Sequence, residues 1–122
     1  MKQEGSQYIY MLHTAGGRLY TGYTTNPERR LTEHLKGSKK AARFTRAFRP
    51  LAAAACWRLD CSRGEALKVE AAIKRLPRLK KLSLLEHAGL FENLAAQSCG
   101  RIVKTEPFKT GAPAQVVPKE KS

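Results

Sequence analysis

The stretch that decides the fold is Tyr8-Ile9-Tyr10-Met11-Leu12, then Gly16-Gly17, then Leu19-Tyr20-Thr21-Gly22-Tyr23-Thr24. Aromatic and β-branched runs on either side of a glycine pair predict a β-hairpin. The loop length decides where its tyrosines point. A two-residue Gly16-Gly17 turn would set Tyr20 opposite His13, on the other face from Tyr10. A three-residue loop, Ala15-Gly16-Gly17 with a glycine bulge, pairs Leu12 with Tyr20 and Tyr10 with Gly22. That register places both phenols on one face, because a one-residue slip moves every side chain across the sheet. The odd or bulged loop is the expectation.

Downstream, Asn26-Pro27-Glu28 announces a helix, with Asn as N-cap, Pro at the first helical position and an acid in the first turn. It runs to about Lys36, and Gly37 stands where a helix would stop. Leu31 and Leu35 form its buried stripe, and Arg30 and His34, four apart, share a neighbouring face. Residues 37–50 read as a loop carrying Lys39, Lys40, Arg43, Arg46 and Arg49 around Phe44 and Phe48. Leu51 to Leu59 reads two ways: its alanines favour helix, while its length, Cys56-Trp57 and the preceding proline suit a short buried strand. Strand is the expectation.

Ser62-Arg63-Gly64-Glu65 is a capping box. The helix it opens has Ala66, Val69, Ile73 and Leu76 as its core stripe, with Glu70 at the edge. Pro77 restarts the chain into a leucine-rich helix from Leu79 to about His87, ended near Gly89. A short amphipathic piece follows from Leu90 to Ala96. From Gly100 the composition shifts to Lys, Thr, Pro and Gly, which predicts a disordered tail. The divisions expected are a lead over 1–7, one domain over 8–98 and a basic tail over 99–122. The fold class is α+β: a small three-stranded sheet, hairpin plus one strand, flanked by helices.

Lys and Arg number 23 against 10 Asp and Glu in 122 residues, a net charge of +13. That excess is the electrostatic footprint of a polyanion-binding protein, with nucleic acid as the foremost partner. Cys56, Cys61 and Cys99 contain no Cys-x-x-Cys pair, and His13, His34 and His87 complete no zinc spacing. Reduced thiols, no signal-like N-terminus and no apolar run of membrane-spanning length lead to a cytoplasmic expectation.

The order of these pieces resembles the GIY-YIG nuclease superfamily, and closely its small single-domain bacterial branch. Tyr8-Ile9-Tyr10 stands where the family has Gly-Ile-Tyr, and Tyr20-Thr21-Gly22 where it has Tyr-Ile-Gly. Asn26 to His34 looks like the family's arginine-histidine helix. Gly37 to Arg46 looks like the branch's basic loop, and Ser62 to Leu82 resembles its glutamate helix. The likeness covers roughly Tyr8 to Leu90, and its strength is the ordered set of five rather than any one motif. Tyr8 and Thr21 depart from the family pattern without removing a reacting group.

The resemblance implies a metal-dependent endonuclease that hydrolyses phosphodiester bonds in DNA. Its implied catalytic set is Tyr10, Tyr20, Arg30, His34 and Glu70, with Glu70 binding one Mg²⁺ or Mn²⁺. A single carboxylate suffices for such an ion, which keeps several waters and takes a phosphate oxygen as a further ligand. Arg30 would present its planar fork to the non-bridging oxygens. One tyrosine would take the water's proton while the other orients it, and His34 would relay a proton or contact phosphate. Lys39, Lys40, Arg43, Phe44, Arg46 and Lys74 would hold the nucleic acid, the loop's aromatic-basic mix leaning toward single-stranded or branched DNA. RNA stays open, since nothing visibly reads a 2′-hydroxyl.

Each of these residues also has a plain reading. Tyrosines suit half-buried strands, and Arg30 and His34 suit a solvated helix face. Lys74 lies four residues beyond Glu70 in the orientation of a surface ion pair. A non-catalytic nucleic-acid-binding module that kept the fold is the competing function. The mechanism needs Tyr10 and Tyr20 on the same side as Arg30 and Glu70.

Overall fold

The computed structural model describes residues 6–36 and 50–109. The expected basic loop, with Lys39, Lys40, Arg43, Phe44 and Arg46, lies outside the described residues, as does the tail from residue 110. The element order is β1 (Ser6–Thr14), β2 (Leu19–Thr24), α1 (Pro27–Lys36), β3 (Pro50–Asp60), α2 (Arg63–Lys74), α3 (Arg78–Glu86), α4 (Ala88–Cys99) and β4 (Lys104–Pro107). The protein is α+β, with an antiparallel sheet in the order β2-β1-β3-β4.

The hairpin has the odd loop. Ala15–Gly17 form a single 3₁₀ turn between the strands, with Gly16 and Gly17 at φ of 85° and 77°. Left-handed backbone at both positions costs glycine little and other residues more, which is what the Gly-Gly pair supplies. Leu12 faces Tyr20 and Tyr10 faces Gly22, so both phenols project from one face. Asn26 caps α1 through its Oδ1, which accepts from the Arg29 amide at 3.2 Å. Ser62 and Glu65 close the capping box of α2 reciprocally.

The sheet separates two apolar clusters. On one face Ile9, Met11, Trp57 and Leu59 pack against Ala66, Val69 and Ile73 of α2, Leu84 of α3, and Phe91 and Ala95 of α4. Trp57 and Phe91 stack nearly parallel there, with centroids 4.1 Å apart. On the other face Tyr10, Leu12 and Cys56 meet Leu31 of α1. The alternation of β1 therefore sends even-numbered residues toward α1 and odd-numbered ones toward α2–α4.

Two expectations are corrected. The sheet has four strands rather than three, because Lys104–Pro107, in the segment read as tail, pairs with Trp57–Asp60 of β3. Its short polar sequence carries no apolar alternation; what it supplies is backbone donors and acceptors to an otherwise open strand edge. The last helix is also longer than Leu90–Ala96. The break falls at His87 (φ −130°, ψ 102°), Gly89 lies inside α4, and Gly100, left-handed at φ 73°, caps the helix instead.

Candidate active site

Tyr10 is seated by Gly22, which lies opposite it on β2. A β-carbon at Gly22 would come within 2.4 Å of the Tyr10 Cζ and Oη, so the ring crosses the neighbouring strand only because that position lacks a side chain. The phenol is 1% exposed and bonds His34 Nε2 at 2.8 Å. His34, one helical turn beyond Arg30 on α1, is itself fully buried. Tyr20 completes the cluster, its ring centroid 6.2 Å from that of Tyr10 and 5.3 Å from that of His34. It is half-buried, the more exposed of the two tyrosines.

Arg30 reaches the same cluster from α1. Its Nη1 donates to Glu33 Oε1 at 2.9 Å, and its positive charge acts on the nearby Tyr10 hydroxyl. Burial, then the neighbouring Tyr20, hold Tyr10 well above the ordinary phenol range, outweighing the opposing pull of Arg30. Burial, then the charge of Arg30, push His34 down to about 4, so its imidazole is neutral at pH 7. Tyr10 and His34 are thus a neutral, hydrogen-bonded pair behind Tyr20.

Glu70 arrives differently from the expectation that it shares a face with the two phenols. It belongs to α2, whose stripe packs against the opposite face of the sheet. Because β2 is a short edge strand, α2 passes beside it. Lys74 Nζ sits 5.8 Å from the centroid of the Tyr20 ring, and the Glu70 carboxylate is close enough to Tyr10 to disfavour its phenolate. The side chains of Tyr10, Tyr20, Arg30 and His34 therefore form one cluster, and Glu70 borders it around the sheet edge. Glu70 pairs with Lys74 at 3.3 Å, as its plain reading has it.

Among the described residues no group of three metal-ligating side chains exists. A partly exposed single carboxylate fits a hydrated Mg²⁺ or Mn²⁺ that takes its remaining ligands from water and a phosphate. It does not make a closed protein cage. Glu70 is the residue that would hold such an ion, in competition with Lys74.

Sequence reading missed two contributors. Gly22 seats the Tyr10 ring, and a lone glycine inside a strand pattern is the signal of such close approach. Glu33 holds Arg30, and its three-residue spacing on a predicted helix was visible.

A family model described as the GIY-YIG catalytic domain matches residues 6–83. The chain belongs to the GIY-YIG family. Membership implies a nuclease-type enzyme with a nucleic acid substrate, and enzymes of this family generally use divalent metals. A UPF0213 protein of Cupriavidus necator is 41% identical over 109 residues, covering 89% of this chain and all of that protein. A UPF0213 protein of Desulfotalea psychrophila is 45% identical over 80 residues, covering 65% of this chain and 70% of its own length. A third, from Enterococcus faecalis, is 42% identical over 88 residues, 70% of this chain and 97% of that one. No solved structure matches the chain. No helix among the described residues is long and apolar enough to cross a membrane.

Proposed function

We propose that this protein is an endonuclease that hydrolyses a phosphodiester bond of DNA by attack of water, with Tyr20 as the proton acceptor. The observation that carries this reading is the difference between the two phenols. Tyr10 is buried, held protonated by its surroundings and bonded to His34, whereas Tyr20, in the same cluster, is only half-buried. Of two phenols on one face, Tyr20 is the one a water and a phosphate can reach.

In this mechanism the attacking water is oriented at the Tyr20 Oη, which reacts as phenolate and takes its proton as the new P–O bond forms, while the P–O bond to the leaving sugar oxygen breaks and that oxygen is protonated from solvent. Arg30, gripped by Glu33 and in contact with Tyr10, turns its remaining donors to the non-bridging oxygens, whose negative charge grows in the transition state. Glu33 holds Arg30 beside the Tyr10–His34 pair, so the arginine is placed before substrate arrives. A divalent ion carried by Glu70 would supply further charge neutralisation at the phosphate. The preferred substrate in this proposal is single-stranded or branched DNA, because a flexible strand can bend a phosphate onto an edge site. A cytoplasmic setting suits its three free thiols.

The test is cleavage of labelled single-stranded, duplex and forked DNA with Mg²⁺, Mn²⁺ or EDTA. Tyr20→Phe, Arg30→Ala and Glu70→Gln are each expected to lower turnover by about 10² or more, with folding and DNA retention intact. Cleavage at the wild-type rate by Tyr20→Phe would mean that Tyr20 is not the proton acceptor. Salt-sensitive DNA retention with no metal-dependent product from the unaltered protein would leave the non-catalytic binding module.

A further inference from the structure

The protein is electrically polarised along β1. At the Ser6 end, β1 lies against Asp60, and Asp60 lies against Lys104 of β4. Glu106 holds Arg58 at 2.7 Å, Glu65 holds Arg101 at 2.7 Å, and Asp60, Glu92 and Arg101 line one cavity. At this end Arg58 and Arg101 are matched by carboxylates, and acids and cations are interspersed. The other end of the nine-residue strand, about 25 Å away at strand rise, carries the hairpin turn. Against that turn stands the stretch Lys74-Arg75-Leu76-Pro77-Arg78-Leu79-Lys80-Lys81, with five cations and no acid.

Three features give this stretch a direction. Lys74 begins it beside Tyr20, at the site. Arg78 Nε donates to the Gly17 carbonyl at 3.1 Å, joining the start of α3 to the hairpin turn as one surface. Among the described residues Arg75, Arg78, Lys80 and Lys81 pair with no carboxylate, as Lys68, Lys104 and Lys109 do not; what sets this stretch apart is four such cations within seven residues and no acid among them. Four unmatched cations close together in the chain raise the local positive potential, and an arriving chain of phosphates is drawn to it. Leu79, between them, is 75% exposed, an apolar surface amid the charges for a sugar or base.

We infer that the substrate strand leaves the site across the hairpin turn and the α2–α3 junction, where Arg75, Arg78, Lys80 and Lys81 hold its phosphates. The occupant is a sugar–phosphate backbone, and the path is a second contact region on the opposite flank from the Ser6 end. It deepens the nuclease reading, which it needs only for the position of the cleaved phosphate.

The experiment compares two double variants that each remove two positive charges, Arg75→Gln/Lys80→Gln and Lys104→Gln/Lys109→Gln, in the full chain. Binding to a labelled forked DNA is measured across a salt series, without metal. The first variant is expected to lower the slope of log affinity against log salt by about 1.4–1.8, corresponding to two lost phosphate contacts, and the second to leave it nearly unchanged. In the unaltered protein, Lys80 and Lys81 should be protected from acetylation by bound DNA while Lys104 and Lys109 are not. Equal slopes for the two variants, or acetylation of Lys80 and Lys81 undiminished by DNA, would overturn the path. So would binding of phosphatidylglycerol vesicles through these residues by a protein that does not retain DNA there. Metal-dependent cleavage together with an unchanged slope would sink the path and keep the nuclease. Loss of slope in a protein that never cleaves would do the reverse.

Discussion

At Gly22 the site depends on a missing atom. Tyr10 reaches His34 by lying across β2, and Gly22→Ala would drive a β-carbon into the ring and hydroxyl. Neither can move cheaply, since the phenol is buried and bonded. The expected cost is about 2–3 kcal/mol, in the range of overpacked cores, with loss of the Tyr10–His34 contact. Urea unfolding reads the first and the chemical shift of the His34 ring reads the second. Thr21, the adjacent residue, faces the other cluster, and its buried hydroxyl has no hydrogen-bond partner among the described residues. Thr21→Val keeps the shape and removes the stranded hydroxyl, so stability should rise by about 1 kcal/mol. A variant less stable than the parent in the same measurement would mean that the hydroxyl is satisfied.

Between elements, α2 is tied at both ends to parts of the chain far from it in sequence. At its start Glu65 closes the capping box and also takes a two-bond fork from Arg101, just beyond α4. The Arg101 guanidinium, then the Ser62 amide, pull its carboxyl down to about 2. At its end Lys74 lies against Tyr20 of the hairpin, and Arg78, at the start of α3, bonds the Gly17 carbonyl. Glu65→Ala should cost about 1 kcal/mol through the lost cap, and should raise amide exchange at the first turn of α2 and around Arg101 together. Exchange confined to α2 would show that the fork does not couple them. The neighbouring β4 illustrates an element that local pattern cannot find. Its four residues, Lys-Thr-Glu-Pro, have no apolar alternation, and they form a strand because β3 offers an unpaired edge.

For the molecule as a whole, the buried pair between α1 and the sheet makes stability depend on pH. His34 is near 4 when folded and near its ordinary value of 6.5 when unfolded. Between those values the unfolded chain binds the extra proton. The contribution is therefore fully present above pH 6.5 and is lost as pH falls toward 4. The urea midpoint should fall from pH 7.5 to 5, with His34→Gln removing most of that slope whatever its absolute stability. An unchanged slope in His34→Gln would place the linkage elsewhere. Glu65, lowered from 4.5 to about 2, adds a second and more acidic window, in which stability present above 4.5 is lost as pH falls toward 2. Being near the surface, it contributes weakly.

The sequence alone determined what rests on local geometry. The three-residue loop followed from requiring two phenols on one face, and the register Leu12 to Tyr20 has that form. The caps at Asn26 and Ser62 and the stripe Ala66, Val69, Ile73 were legible because side-chain capping and the helical period act within a few residues. The family likeness ordered those pieces. Tertiary structure alone decided which of the two equivalent tyrosines is buried, since that depends on α1 folding over Tyr10. It also decided that Glu70 nears the phenols from the far side of the sheet, and that residues after Gly100 complete the sheet. Each of these turns on which groups meet across tens of residues, and no periodicity within one segment encodes such a meeting.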